Sequence, residues 1–231
     1  MRKTIIVFSL ISLLTLTGYS GMDKAVCPEE PFSEISAVQS DLTVQKQLNE
    51  RGLLSSLDAL EDDDLLELDI MMDTDDARTF RYELYASHPE VMLAYSPRLT
   101  LVGYSKDASV CTGYRVTLLS GDGGERRYKE LEAATADILI RAHDLDDAAK
   151  VAVIRRWISS RCRYTKTVTN MWDESLYGCL VKGTATCLGY SEGFYYMMKK
   201  LGVPCRIVTD KYHAWNEVYV GGKWSSVDLT K

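Results

Sequence analysis

Near the C-terminus two alternating runs flank Gly221-Gly222, and this arrangement constrains the fold more than any other feature of the chain. In the first run His213, Trp215, Glu217 and Tyr219 face one way and Ala214, Asn216, Val218 and Val220 the other, because successive strand side chains point to opposite faces. A Gly-Gly tight turn implies a two-residue hairpin. Val220 then faces Lys223, and Trp215 lies opposite Asp228. Asp228 shares a face with His213, one diagonal step away, at a backbone separation of about 7–8 Å that the two side chains bridge. The register alone predicts a His213–Asp228 pair.

Upstream, Gly183-Thr184-Ala185-Thr186 leads into Cys187 and a helix whose buried face is Phe194, Met197, Met198 and Leu201, stopped by Gly202 and Pro204. Backbone N–H groups and the helix dipole at such a start favour an anion, here the thiolate that attacks. Taken singly, Cys187 reads as a half-cystine and His213 as a structural residue. Taken together, a thiol at a helix start, a strand histidine and a carboxylate diagonal to it match nucleophile, base and orienting group. His213 would take the thiol proton, and Asp228 would fix its tautomer and stabilise the imidazolium. Strands are expected over Cys205–Thr209, His213–Val220 and Lys223–Asp228. A preceding helix is capped by Asp146 or Asp147 and carries the stripe Val151, Ile154, Trp157, Ile158.

The stretch from Tyr177 through Cys187 to Tyr190 resembles the nucleophile segment of bacterial transglutaminase-like domains. His213-Ala214-Trp215-Asn216-Glu217-Val218 is similar to the histidine strand of that family, and Lys223-Trp224-Ser225-Ser226-Val227-Asp228-Leu229-Thr230 to its aspartate strand. The order agrees, with 26 residues from Cys to His and 15 more to Asp. Where the family usually has an aromatic residue after Asp-x-Thr, this chain has Lys231. The resemblance covers about residues 130 to 231. It implies an α+β, papain-like core, with the nucleophile helix packed on an antiparallel sheet, and acyl-enzyme chemistry on an amide. Release to water makes a peptidase or amidase; release to an amine makes a crosslinker. Hydrolysis is favoured, since no dedicated amine site is visible. The implied partner is a protein or peptide, cell-wall peptide included. The competing reading is an idle triad in a module that binds protein or cell wall. The Cys187 N–H is a natural first oxyanion donor, with Trp172, Tyr164 and Tyr177 as candidates for a second.

The N-terminus reads as a secretory leader. Arg2 and Lys3 precede an apolar stretch from Ile5 to Leu16, and small residues follow, with cleavage expected after Ser20. That stretch is about a dozen residues, short of the ~20 that span a bilayer, so no stable membrane span is expected after leader removal. The setting is secreted or extracytoplasmic. The formal charge of −6 becomes more acidic without the leader and excludes a phosphate-backbone partner, which needs clustered Lys and Arg. Six cysteines invite a disulfide reading, but with Cys187 free at least one more is unpaired.

Residues 1–20 are read as leader, 21–40 as a tether, 41–124 as an accessory α/β region and 125–231 as the catalytic domain. Within the accessory region, Leu42 to Met72 reads as helical and Thr79 to Ser120 as β-rich. A helix from about Arg126 to His143 follows the glycine cluster at 121–124. The acidic run Glu61-Asp62-Asp63-Asp64 lacks the alternating ligands and central glycine of a calcium loop. His88 and His143 lie outside any recognisable ligand spacing. No metal or other cofactor is expected.

Overall fold

The computed structural model describes residues 34–57, 61–95, 97–103, 109–118 and 123–231. The expected leader and Cys27 lie outside these. The described residues begin with a long helix, α1 (Glu34–Leu57), so residues 34–40, expected in the tether, are helical. Strand β1 (Leu65–Asp73) follows, then α2 (Thr74–Ser87), α3 (Pro89–Tyr95), β2 (Pro97–Gly103) and β3 (Val110–Leu118). These three strands form an antiparallel sheet in the order β1-β3-β2.

Two expectations are corrected here. Leu65–Met72 is a strand rather than the end of a helix, with Leu66, Leu68 and Met72 buried on one face. Its period of two was disguised because Leu65 and Met71, on the other face, are apolar yet about half exposed. Residues 79–95 are helical rather than β-rich. Ala77, Phe80 and Leu84 make a helical stripe, Asp73 caps α2 by accepting the Asp75 N–H, and Pro89 opens α3, where a missing N–H costs nothing. The acidic run forms a turn. Asp63 adopts a left-handed φ of 68° and pairs with Arg115, and Asp62 accepts the Leu118 N–H. Among the described residues, no cluster of three or more His, Cys, Asp or Glu is placed to hold a metal.

The second half runs α4 (Gly124–Ala142), α5 (Asp147–Arg161), β4 (Arg163–Tyr164), a π-type turn (Gly178–Lys182), β5 (Thr184–Ala185), α6 (Cys187–Lys200), β6 (Cys205–Thr209), β7 (Ala214–Val220) and β8 (Lys223–Val227). Asp146 caps α5 through the Ala149 N–H, and Gly202, at φ +73°, ends α6. Antiparallel β6-β7-β8 form the second sheet, while β4 and β5 pair in parallel below the start of α6. Helices and antiparallel sheets are thus segregated, an α+β arrangement. One apolar core gathers α4, α5, α6 and the inward face of β7 and β8, with Phe194 and Met197 fully buried. A second joins α1 to the first sheet, α2 and α3. No helix among the described residues is long and apolar enough to cross a membrane.

Polar contacts tie the two halves. The β6 edge N–H of Ile207 donates to Glu83 on α2, whose other oxygen meets Lys46 of α1. Lys199, near the end of α6, reaches Glu50 on α1 and Ser87 on α2. Glu50 also meets His88, which lies 3.5 Å from Glu90. Burial opposes charge on His88, but the hydrogen bonds to Glu50 and Glu90 outweigh it and raise its pKa to about 9 from 6.5. A raised folded pKa stabilises fully below the unfolded value, and that stability is lost as pH rises through the folded one. The melting temperature should therefore fall between pH 6.5 and 9.5 by an amount worth about 1–3 kcal/mol, and His88→Gln should flatten that part of the profile. An unchanged slope in the variant would remove His88 as the cause.

Candidate active site

Cys187 is the first residue of α6 and is partly exposed. Thr186, in the cap position with φ −79° and ψ 179°, does not cap the helix with its side chain. Instead its N–H (2.8 Å) and hydroxyl (3.2 Å) both donate to the backbone carbonyl of Asp173. The first intrahelical bond comes from Tyr190 to the Thr186 carbonyl, so the N–H groups of Cys187, Leu188 and Gly189 precede the helical ladder. They make the positive end of the helix the immediate environment of the thiol.

Asp173 was not singled out in the sequence. Its carboxylate gathers the Thr169 N–H and hydroxyl, the Asn170 N–H and the Asn170 side-chain amide, which folds residues 169–173 into a closed turn. The Thr169 and Asn170 hydrogen bonds hold its pKa below the usual carboxylate value. Gly189 packs against this turn so closely that an added Cβ would stand 2.8 Å from the Asp173 carbonyl oxygen and 2.9 Å from that of Ser175. Asn216 was missed as well, though its signal was present: it is the polar residue among the inward positions Ala214, Asn216 and Val218. Its amide donates to the Ser191 carbonyl at 3.1 Å and so ties β7 to the first turns of α6. Ser191 in turn donates its hydroxyl to the Cys187 carbonyl.

The hairpin has the register that the two-residue turn requires, with Val220 opposite Lys223 and Asn216 opposite Val227. Gly221 and Gly222 both have positive φ, 63° and 79°. His213 and Asp228 sit just outside the paired strands, His213 before β7 and Asp228 after β8. His213 Nε2 lies 2.9 Å from Asp228 Oδ2. The imidazole stacks on Trp215 at 5.9 Å between ring centres, and the His213 N–H donates to Asp210. The other Asp228 oxygen accepts the N–H (3.0 Å) and hydroxyl (2.7 Å) of Thr230, and Lys231 reaches Oδ2 at 3.2 Å. Burial would favour the protonated acid, but the hydrogen bonds from His213, Thr230 and Lys231 prevail and hold Asp228 well below the usual carboxylate range. With Nε2 engaged by Asp228, Nδ1 is the ring nitrogen left for another partner.

The three aromatic candidates for a second oxyanion donor separate clearly. Tyr177 is buried, and its hydroxyl is committed to Glu130 of α4. The Trp172 ring is sandwiched by packing, edge-on to Tyr177 at 5.2 Å and under the Arg127 guanidinium at 5.0 Å. Tyr164 differs: it lies on β4, paired with β5 just ahead of Cys187, and is partly exposed. Its ring rests against Tyr190 of α6. Among the described residues Cys111, Cys162, Cys179, Cys187 and Cys205 are all free thiols.

Residues 135–229 match the model of the transglutaminase-like superfamily. Among solved structures the chain is similar to that of a TGase, at 14% identity and a TM-score of 0.42, covering 58% of this chain and 43% of that one. It is also similar to the periplasmic domain of TgpA from Pseudomonas aeruginosa bound to ethylmercury, at 21% identity and a TM-score of 0.34, covering 53% of this chain and 57% of that one. The chain thus spans less than two thirds of either structure. No curated protein matches it in sequence.

The tight seat of Gly189 gives a direct check on how the start of α6 is held. Gly189→Ala should cost about 1–3 kcal/mol, because backbone oxygens of the 173–175 turn must move. That is a fall of roughly 2–10 °C in melting temperature for a chain of this size. A melt unchanged from the parent would show that the turn is not packed as described.

Proposed function

We propose, from the premise that residues 135–229 form a transglutaminase-like domain, that this chain is an extracytoplasmic thiol enzyme that hydrolyses amide bonds. The observation that carries the reading is the His213 Nε2–Asp228 hydrogen bond, which leaves Nδ1 as the only ring nitrogen for a thiol. The helix start of Cys187, tied to β7 through Asn216 and Ser191, supports the same assignment. The extracytoplasmic setting rests on the leader-like Arg2 to Leu16 segment. In this reading residues 125–231 are the catalytic unit and 41–124 an accessory one.

His213 Nδ1 takes the Cys187 proton, and the sulfur attacks the substrate carbonyl carbon, forming a C–S bond. Asp228, held anionic by Thr230 and Lys231, stabilises the imidazolium. The oxyanion meets the Cys187 N–H and, as the second donor, the Tyr164 hydroxyl. Collapse breaks the C–N bond, and the His213 proton leaves with the amine. A water molecule, deprotonated by His213, then attacks the thioester; the carboxylic acid departs and the thiol is restored. An amine in place of water gives a crosslink through the same steps, and the product of the second half-reaction distinguishes them.

At pH 7, iodoacetamide should modify Cys187 faster in the parent protein than in His213→Ala, as mapped by mass spectrometry. Equal rates would sink the triad. On any amide substrate, His213→Ala should lower kcat about 10²–10⁴-fold. Tyr164→Phe should lower kcat about 10²-fold with little change in KM, whereas an effect confined to KM would make Tyr164 a binding residue only.

A further inference from the structure

Two buried thiols take no part in the chemistry proposed above. Cys162 follows the last residue of α5, and Cys179 lies in the π-type turn. They are 7% and 2% exposed and belong to the same apolar core. The Arg163 N–H, one residue after Cys162, donates to the Gly183 carbonyl at 2.9 Å, and Arg163 pairs with Thr184. The start of β4 is thereby held against the chain that leaves the turn. Helix α6 packs on both cysteines. Its Tyr190 hydroxyl donates to the Cys162 carbonyl, and a Cβ added at Gly193 would stand 3.0 Å from the Cys179 sulfur. Residues 190 and 193 are neighbours on one helix face, about 5–6 Å apart, so Cys162 and Cys179 lie side by side. The sulfurs themselves meet, joined by a hydrogen bond between the two thiols.

The other described cysteines are placed differently. Cys111 belongs to the accessory core and donates to the Gly113 carbonyl, while Cys205 donates to the Arg206 carbonyl on β6. Cys187 begins α6. Within the pair, the hydrogen bond from Cys179 favours the Cys162 thiolate, while burial disfavours that of Cys179. One sulfur is thus suited to attack and the other to resolve. The chain between them, residues 163–178, contains β4 and the 169–173 turn, whose Asp173 carbonyl holds Thr186. A bond between the sulfurs closes the two ends of the segment that seats Cys187.

We propose that Cys162 and Cys179 are a disulfide-forming pair, and that their bond braces the segment that seats Cys187. A small-molecule disulfide of the glutathione class is the oxidant. The Cys162 thiolate attacks one of its sulfurs; an S–S bond forms, and one glutathione leaves as a thiolate. The Cys179 thiolate then attacks the Cys162 sulfur, and the second glutathione leaves. The two protons given up by the cysteines end on the two glutathione thiols, so one disulfide is reduced as the other forms. Both sulfurs are buried, so the exchange proceeds while the chain folds. The bond stabilises by restricting the unfolded chain. It does not depend on Cys187 being a nucleophile, and an extracytoplasmic setting is one in which disulfides persist.

The test uses the full chain, unfolded and reduced in guanidinium. One sample is refolded in mixed oxidised and reduced glutathione, the other under dithiothreitol. Remaining thiols are blocked in denaturant, and a non-reducing digest is mapped by mass spectrometry. The glutathione sample should yield the peptides of Cys162 and Cys179 cross-linked and lacking two hydrogens, with Cys187 alkylated in both samples. It should melt about 5–10 °C above the dithiothreitol sample. Cys162→Val and Cys179→Ala, both apolar and close in size to the thiol removed, should lose that difference between the two conditions. The mapping is made on the parent chain, so it decides the matter even where a variant fails to fold. Finding both thiols alkylated after glutathione, or either bonded instead to Cys27, Cys111, Cys187 or Cys205, would overturn the pair. A cross-link that leaves the melt unchanged would overturn its bracing role.

Discussion

Asp173 accepts both the N–H and the hydroxyl of Thr186 with one backbone carbonyl, and the way the Cys187 helix begins depends on that pair of bonds. A threonine in the cap position ordinarily turns its hydroxyl back onto the N–H groups of the first turn. Here the hydroxyl is diverted, so the first turn carries no side-chain cap and its positive end remains directed at the thiol. The cost of leaving those donors uncapped is offset by the closed turn that Asp173 builds from Thr169 and Asn170. Gly189 completes the seat, since no side chain fits between α6 and the carbonyls of residues 173 and 175. Cys187 is thus positioned by a loop whose Asp173 carboxylate and carbonyl are both hydrogen-bonded.

The histidine and aspartate are held by a different device. Two positive-φ glycines close a hairpin of fixed register, and that register brings two side chains from opposite ends of the turn onto one face. Thr230 then does for Asp228 what a cap does for a helix, taking one carboxylate oxygen with two donors and leaving the other for His213. Asn216 and Ser191 join the two devices, passing from β7 to the carbonyl of Cys187. The Asn216 amide reaches a backbone carbonyl that survives any substitution at 191, so this tie depends on Asn216 rather than on the Ser191 side chain.

The hairpin was legible in the sequence because period two and a Gly-Gly turn admit a single register. Helices α5 and α6 were legible for similar reasons: Asp146 and Gly202 mark their ends, and Ile154, Ile158, Phe194 and Met197 mark their buried faces. The accessory region was harder to read. Leu65-Leu66 and Met71-Met72 are doublets that satisfy either period, and half-exposed Leu65 and Met71 make β1 look like a helix. Phe80, Tyr82 and Tyr85 give α2 the aromatic content of a strand, and only the spacing of Ala77, Phe80 and Leu84 betrays it. Asp173 was not legible, because its carboxylate serves a local turn at Thr169 and Asn170 and its hold on Thr186 is through a backbone carbonyl that every residue possesses.

The accessory region touches the sheet at the edge farthest from Asp228. Glu83 takes the outward N–H of β6, which covers an edge otherwise open to pairing with another chain, while Asp228 follows β8 on the opposite side. Lys199 adds a tie at the far end of α6 from Cys187. Neither contact bears on the His213–Asp228 bond or on the seat of Thr186. A third tie lies nearer that seat: Arg127 of α4 donates to the Leu93 carbonyl of α3 and lies over the ring of Trp172, the residue before Asp173.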